Sequence, residues 1–389
     1  MGSALDENTQ EPSSDPGPRA VQVGYVVSTL RRSGPTRQLL NLVTQLNRWG
    51  YGVHVLTLSS EPDDSLWREF EALGVRLSTL SMGRGVSMLA GKRKIKAWAE
   101  QSRVDVLHTQ GIRADSMVCT LGIPHVATLR NYPFEDYPLL YGRWRGWCMA
   151  HWHMRALRRV SRPVVVSWGV AEMLKRHGLE MDVIQNGVDV EYFDVPAGRA
   201  AAKQAVGHFG EQPLVVATGH LIDRKDPETA LRAMTALENK VKFVLVGDGA
   251  LRPELERRWG ANDQVRFVGR VEDVRPWLQA ADVFVSPSKS EGLPNSVMEA
   301  MACGLPCVLS DIPPHRELLE DQPSAGELFT VGDAEGMAQA VLRVLENTEA
   351  AGAAARDNAV MSFSSEVMAG GYLKLYQQES KRTSRRVGH

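Results

Sequence analysis

The stretch SPSKSEGLPNSVMEAMACGLPCVLSD, residues 286–311, decides how this chain is read. It leaves an apolar strand, crosses a Gly/Pro loop, enters a helix and exits through Gly304-Leu305-Pro306 into another strand. Asn295 or Ser296 stands at the helix start, where such residues act as caps and where free backbone N–H groups attract anions. Glu291 comes just before this amide-rich turn, and Glu299 lies about one turn into the helix. A carboxylate accepts through two oxygens, which suits a pair of vicinal hydroxyls. Two carboxylates flanking an anion-binding helix start fit a ligand with hydroxyls at both ends and phosphates between them, a nucleotide-sugar. The spacing alone fits equally a surface glutamate and a helix glutamate with no binding role.

Outward from this stretch, the whole chain alternates between strands and helices. VQVGYVVS (21–28) is a valine-rich strand. After a glycine turn, Leu39, Leu40, Leu42, Val43 and Leu46 follow helical spacing until Gly50. The pattern continues to VIQNG near residue 187 and restarts at PLVVATG (213–219). Apolar, β-branched strands alternating with helices predict parallel sheets covered on both faces. The expected architecture is α/β: two Rossmann-like, doubly wound domains facing each other across a cleft. Residues 20–195 form the first and 196–362 the second. The segment 363–389 is expected to return as a helix to the first domain and to end in a frayed basic tail. In such sheets ligands bind beyond the carboxyl ends of the strands, so the cleft is the expected site.

Composition excludes several classes. The chain has 389 residues, 43% hydrophobic and 23% charged, with no run long enough to span a bilayer. Residues 1–19 are polar and acidic and lack the basic start and apolar core of a signal peptide, which predicts a disordered leader on a cytoplasmic protein. Four scattered cysteines read as small buried hydrophobes. The net charge of −1 hides an asymmetry. Residues 1–200 hold 24 Lys+Arg against 20 Asp+Glu, whereas residues 201–389 hold 21 against 26. Residues 84–103 carry six basic residues and one acid; residues 143–162 carry six arginines, no acid, and Trp144, Trp147 and Trp152. With a pI near 6.8 and no recognisable motif, nucleic acid is not an expected partner. An anionic membrane surface fits these two stretches better, with the protein peripheral on the inner face of the plasma membrane. An ordinary charged helix with tryptophans partly in the core is the alternative.

EGLPNSVMEAMACGLPCV (291–308) resembles the E-x7-E signature of the retaining family 4 glycosyltransferases of GT-B fold. VIQNGVDVEYF, GHLIDRKDPETAL, FVLVGDGALRPELE, VRFVGRVEDVRPWLQAADVFVSPS and FSSEVMAGGYLKLY resemble family segments in family order. The nearest group is the one that builds bacterial surface polysaccharides. The resemblance implies that Glu291 holds hydroxyls of the transferred sugar, with the backbone of Gly292, Leu293, Asn295 and Ser296 near sugar and distal phosphate. Glu299 would hold the ribose diol. Gly219 opens the loop that meets the diphosphate, with Arg224 and Lys225 as its cations. Gly269 and Arg270 match the place where the base is met, and Gly34 the glycine turn of the first domain. Two departures stand out. His220 occupies a place where the family usually has arginine. Arg130 and Asn131 stand where the family often carries a histidine, and a subgroup of surface-polysaccharide transferases has a similar Arg-Asn-Tyr-Pro segment. Arg130 would face phosphate or acceptor, or lock its loop to an aspartate. Asn131, Glu135, Asp136 and, more weakly, His108 are candidates for the acceptor.

The resemblance implies a UDP-sugar donor, a glycan or lipid-linked glycan acceptor, retention at the anomeric carbon, no cofactor and no metal. The nearest approach to a metal-binding Asp-x-Asp triplet is Asp189-Val-Glu191, a structural segment in this family. Two other readings stay open: a catalytically weak nucleotide-sugar-binding subunit of a glycan assembly complex, and a UDP-sugar epimerase of the same fold.

Overall fold

The computed structural model describes residues 20–83, 88–207 and 210–387, with side chains as far as residue 382. The leader, residues 84–87 of the first basic stretch and the last two residues lie outside the described residues. The first half runs β1 (Gln22–Val27), α1 (Gly34–Arg48), β2 (Gly52–Thr57), α2 (Trp67–Ala72), β3 (Arg76–Thr79), α3 (Met88–Gln101), β4 (Val106–Gln110), α4 (Ile112–Val118), β5 (His125–Leu129), α5 (Pro133–Tyr141), α6 (Arg143–Leu157), β6 (Arg162–Val165), α7 (Trp168–Lys175) and β7 (Asp182–Val183). The second runs α8 (Arg199–Ala205), β8 (Leu214–Thr218), α9 (Pro227–Ala236), β9 (Lys242–Val246), α10 (Arg252–Trp259), β10 (Val265–Gly269), α11 (Arg275–Ala280), β11 (Val283–Ser286), α12 (Asn295–Ala302), β12 (Cys307–Ser310), α13 (Pro313–Leu319), β13 (Gly326–Phe329), α14 (Ala334–Leu345), α15 (Thr348–Met361) and α16 (Ser365–Val387).

The strands form two all-parallel sheets, ordered β3-β2-β1-β4-β5-β6-β7 and β10-β9-β8-β11-β12-β13. Each order reverses beside its first strand, β1 or β8, which makes the crevice outside the strand ends. Strands such as β1 and β11 are buried on both faces, so they read as continuous apolar runs rather than as alternation. The edge strand β13 was not anticipated from the sequence. Its four residues, GELF, include a partly exposed glutamate and are too short to stand out as an apolar run.

Helix α16 crosses back to the first domain. Met368, Ala369, Tyr372, Leu375 and Tyr376 join the core built by β1, α1 and β2. The helix continues to Val387, through the segment expected to fray. His108 corrects another expectation. It sits mid-strand in β4, fully buried, not at the cleft. Its Nδ1 meets Tyr376 Oη at 2.6 Å and its Nε2 meets Thr128 Oγ1 at 2.8 Å. Burial and the nearby Arg130 hold its pKa well below the ordinary value, so it is a neutral core imidazole tying β4 and β5 to α16.

Candidate active site

Helix α12 opens towards the crevice, with Pro294 before its first residue and no side chain capping its amides. Uncapped N–H groups at a helix start attract negative charge. The loop before it carries Glu291, whose side chain is only 6% exposed. Arg224 Nη1 donates to Glu291 Oε2 at 2.8 Å, and Lys225 Nζ to Oε1 at 2.5 Å. Burial alone would raise the Glu291 pKa. Lys225 and Arg224 outweigh it and hold the carboxyl down to about 2.

These two cations are aimed by their loop. Gly219, at the end of β8, adopts φ +137°. Its N–H donates to Val246 O, and the Leu221 N–H donates to Asp248 O, stitching the loop to the one after β9. Gly247 lies so close that an added Cβ would sit 1.8 Å from Gly219 O, so no side chain fits there. A 3-10 turn over Asp223–Lys225 then turns Arg224 and Lys225 towards the loop before α12. That turn is zipped to the same loop by the Lys289 N–H on Arg224 O and by Lys289 Nζ on Asp223. His220 is exposed at the start of this loop, and its side chain makes no hydrogen bond among the described residues. Arg224, four residues on, points its guanidinium at Ser290 O and Glu291 instead.

Glu299 sits one turn into α12, half-buried, and its side chain makes no hydrogen bond or ion pair among the described residues. Burial pushes its pKa up to about 7, against the opposing pull of Arg37 and Lys225. Arg37 comes from the first turn of α1, so the ionic environment of Glu299 is shared between domains. Gly34, the first residue of α1, accepts from Asn295 Nδ2 at 3.3 Å. Gln38 donates to Asn295 Oδ1 and to Gly187 O. Asn186 donates to Leu293 O at 2.9 Å. Gly269 (φ +86°) lies against Arg252, and Arg270 reaches across to Asp64 at 3.8 Å.

The loop after β5 forms the opposite lip. An added Cβ on Gly292 would lie 1.9 Å from Arg130 O, so this contact requires glycine. Glu135 accepts from Ser290 Oγ at 3.2 Å. Asn131 approaches Asp136 at 3.5 Å, and burial raises the Asp136 pKa while Arg224 opposes it. Arg130 is turned away from its own loop's aspartate, so the loop lock is not formed. It donates to Asn186 Oδ1 at 2.6 Å and to Gln110 Oε1, with no carboxylate partner among the described residues. The structure thus brings Asn131, Glu135, Asp136, Arg224, Lys225, Ser290 and Glu291 together and leaves His108 outside. Arg37, Gln38 and Asn186 are cleft residues the sequence did not single out. Arg37 lies three residues beyond Gly34, and Asn186 lies in the VIQNG segment, but no local pattern told their inward-facing side chains from solvated ones. Among the described residues no cluster of three or more His, Cys, Asp or Glu side chains is placed to hold a metal ion.

The family model described as Glycosyltransferase Family 4 matches residues 32–192, and that described as Glycosyl transferases group 1 matches residues 212–347. The phosphatidyl-myo-inositol mannosyltransferase of Mycolicibacterium smegmatis is 30% identical over 275 residues, 67% of each chain. The chain belongs to the family 4 glycosyltransferases. Another relative of this glycosyltransferase is the lipopolysaccharide core biosynthesis glycosyltransferase LpsE of Rhizobium meliloti, 28% identical over 72% of this chain and 78% of that one. HepE of Anabaena, solved in complex with UDP, superposes with a TM-score of 0.75 over 94% of this chain and all of that one, at 18% identity. The glycosyltransferase therefore has the GT-B fold, with the expected pair of facing Rossmann-like domains.

Proposed function

We propose that this glycosyltransferase moves a sugar from a UDP-sugar to a hydroxyl of a glycan or lipid-linked glycan during surface polysaccharide biosynthesis, with retention and without a metal ion or cofactor. The observation that carries this reading is the triad of Arg224, Lys225 and Glu291 at the open start of α12. The name of LpsE supports the polysaccharide role, and the UDP complex of HepE supports the donor class.

In this reading the ribose diol rests on Glu299, the base lies by Gly269 and Arg270, and the diphosphate meets Lys225, Arg224 and the α12 amides. A nucleoside diphosphate gains charge as the glycosidic bond breaks. Fixed cations aimed at that charge stabilise the transition state without reorganising. Glu291 grips sugar hydroxyls rather than moving protons, because a carboxylate with pKa near 2 is a poor base at neutral pH. The acceptor hydroxyl attacks from the face the diphosphate leaves, and a departing phosphate oxygen takes its proton. Retention follows from that same-face geometry. Asn131, Glu135 and Asp136 bind acceptor hydroxyls. Arg130, a half-buried cation without a carboxylate partner among the described residues, faces an anionic group of donor or acceptor.

The test is to incubate the protein with UDP-sugars and glycan acceptors and to read the product's anomeric configuration by NMR. Transfer with retention is expected. An inverted product would overturn the mechanism. Binding without transfer or donor hydrolysis would leave a nucleotide-sugar-binding subunit, and conversion of the sugar nucleotide alone an epimerase.

A further inference from the structure

The corner between α5 and α6 exposes a dense apolar surface. Leu139 is 72% exposed, Leu140 64% and Trp144 81%, and Tyr141, Trp147 and Trp152 also face solvent. Clustered exposure of large apolar groups marks an interaction site rather than ordinary surface. The corner is rigid. Gly142 (φ +84°) breaks the chain between the two helices, and an added Cβ on Gly146 would lie 2.3 Å from Pro138 N, so the backbones pack in contact. The inner face of α6 is anchored by His153, which bridges Tyr137 Oη at 2.7 Å and Asp115 Oδ2 at 2.6 Å. The tryptophans are therefore held outwards, and the alternative of a partly buried position in the core does not apply to them.

Helix α6 carries only basic charge, and the acids of α5, Glu135 and Asp136, stand in its first turn on the cleft side, with Glu135 held by Ser290. Arg143, Arg145, Arg155 and Arg159 make no ion pair with a carboxylate among the described residues. Helix α4 packs against both α3 and α6, and Lys92 of α3 donates to Thr120 Oγ1 just past the end of α4 at 2.8 Å, so basic side chains continue from α6 towards α3. We propose that the α5–α6 corner docks on an anionic lipid bilayer, with Leu139, Leu140, Trp144 and Trp147 entering the interface and the arginines meeting lipid phosphates. Aromatic and aliphatic side chains ringed by arginine suit that boundary. A second copy of this chain fits poorly, because a two-fold contact would set the same arginines against each other. Nucleic acid would leave the two leucines uncovered. Among the described residues no helix is long and apolar enough to cross a membrane, so this contact is peripheral.

The position of the corner gives docking a purpose. Glu135, in the first turn of α5, touches Ser290 at the cleft lip. Leu139 is four residues further along, about 6 Å up the helix axis. A lipid-linked acceptor could keep its tail in the bilayer while its sugar reaches the cleft. The docking surface rests on its own residues and stands whether or not the acceptor assignment does.

The full chain, without any nucleotide-sugar, is sedimented with vesicles of phosphatidylcholine alone or mixed with phosphatidylglycerol. Partition into the pellet is expected with the anionic vesicles only, weakening as salt rises. Leu139→Ser with Trp144→Ser, and separately Arg143→Glu with Arg145→Glu, are each expected to lower partition about tenfold or more. Arg257→Glu, on the far domain, is expected to change it little. Thermal melts confirm that each variant is folded. Wild-type protein that stays in the supernatant with anionic vesicles, corner variants that partition like wild type, or self-association through this face without vesicle binding would each overturn the proposal. Sugar transfer to a soluble acceptor, assayed in parallel, reports on the catalytic reading separately.

Discussion

Lys225 Nζ lies 2.5 Å from Glu291 Oε1, which joins the loop after β8 to the loop before α12 and keeps a buried carboxylate ionised. Glu291→Ala is expected to abolish measurable transfer, and Glu291→Gln to lower kcat by roughly 10²–10³, while both stay folded. The pair also contributes to stability. The folded pKa is depressed from 4.5 to about 2, so the contribution is present above pH 4.5 and is lost as pH falls through 2. Acid unfolding of Glu291→Gln should therefore show a shallower pH dependence between those values. Wild-type turnover in Glu291→Ala would refute its role on the sugar.

Glu299 titrates in the opposite sense. Its folded pKa is raised from 4.5 to about 7, so its protonated form favours the folded state below pH 4.5, and that advantage is lost as pH rises to 7. Glu299→Gln should flatten this part of the stability profile. A ribose diol donating to the carboxylate favours its charged form, so UDP-sugar binding near pH 7 should release a proton. Affinity should rise about fivefold between pH 6 and 8 in the wild type and stay flat in Glu299→Gln. Titration calorimetry in buffers of different ionisation enthalpy reads both effects. A pH-independent wild type would exclude this role.

Arg224 and Lys225 carry the cationic work in this reading. Lys225→Ala and Arg224→Ala are each expected to lower kcat by roughly 10²–10³. His220→Ala should cost less than either, because its side chain is exposed and makes no hydrogen bond among the described residues. Exhaustive chelation should leave transfer unchanged. An EDTA-sensitive enzyme, or a His220 variant as damaged as Arg224→Ala, would require a different arrangement at the diphosphate.

Gly292 sets how closely the cleft lips approach. With Gly292→Ala, the added Cβ would meet Arg130 O at 1.9 Å. The clash falls between loops of different domains, so the cores should remain intact while closure fails. Small-angle scattering should show a larger radius of gyration, with melting little changed. Because misplacement by about 1 Å can cost 10²-fold in rate, kcat/KM should fall by about that factor. An unchanged radius together with wild-type rates would show that the lips need not meet.

The double-wound alternation was legible because parallel strands are buried on both faces and read as apolar runs. The loop and helix at 286–311 were legible because Gly, Pro and Asn punctuate them. His108 was misplaced because a strand gives no signal of which residue stands at its end and which at its middle. Arg130 was placed at the right lip, but its hydrogen bonds to Gln110 and Asn186 come from segments 20 and 56 residues away. The exposure of Leu139 and Leu140 was not legible, because apolar type alone does not report burial.

By itself the sequence determined the two-domain α/β order, the acidic pair around α12 and the basic, tryptophan-bearing character of residues 143–162, since each is written in local residue type and spacing. Only the tertiary structure decided that Arg224 and Lys225 hold Glu291 at a low pKa, that Arg37 faces Glu299 from the other domain, and that the α5–α6 corner turns its apolar residues outwards. Those outcomes depend on distances between segments far apart in the chain and on burial, which sets the free energy of a charge or an apolar side chain and belongs to the packed molecule alone.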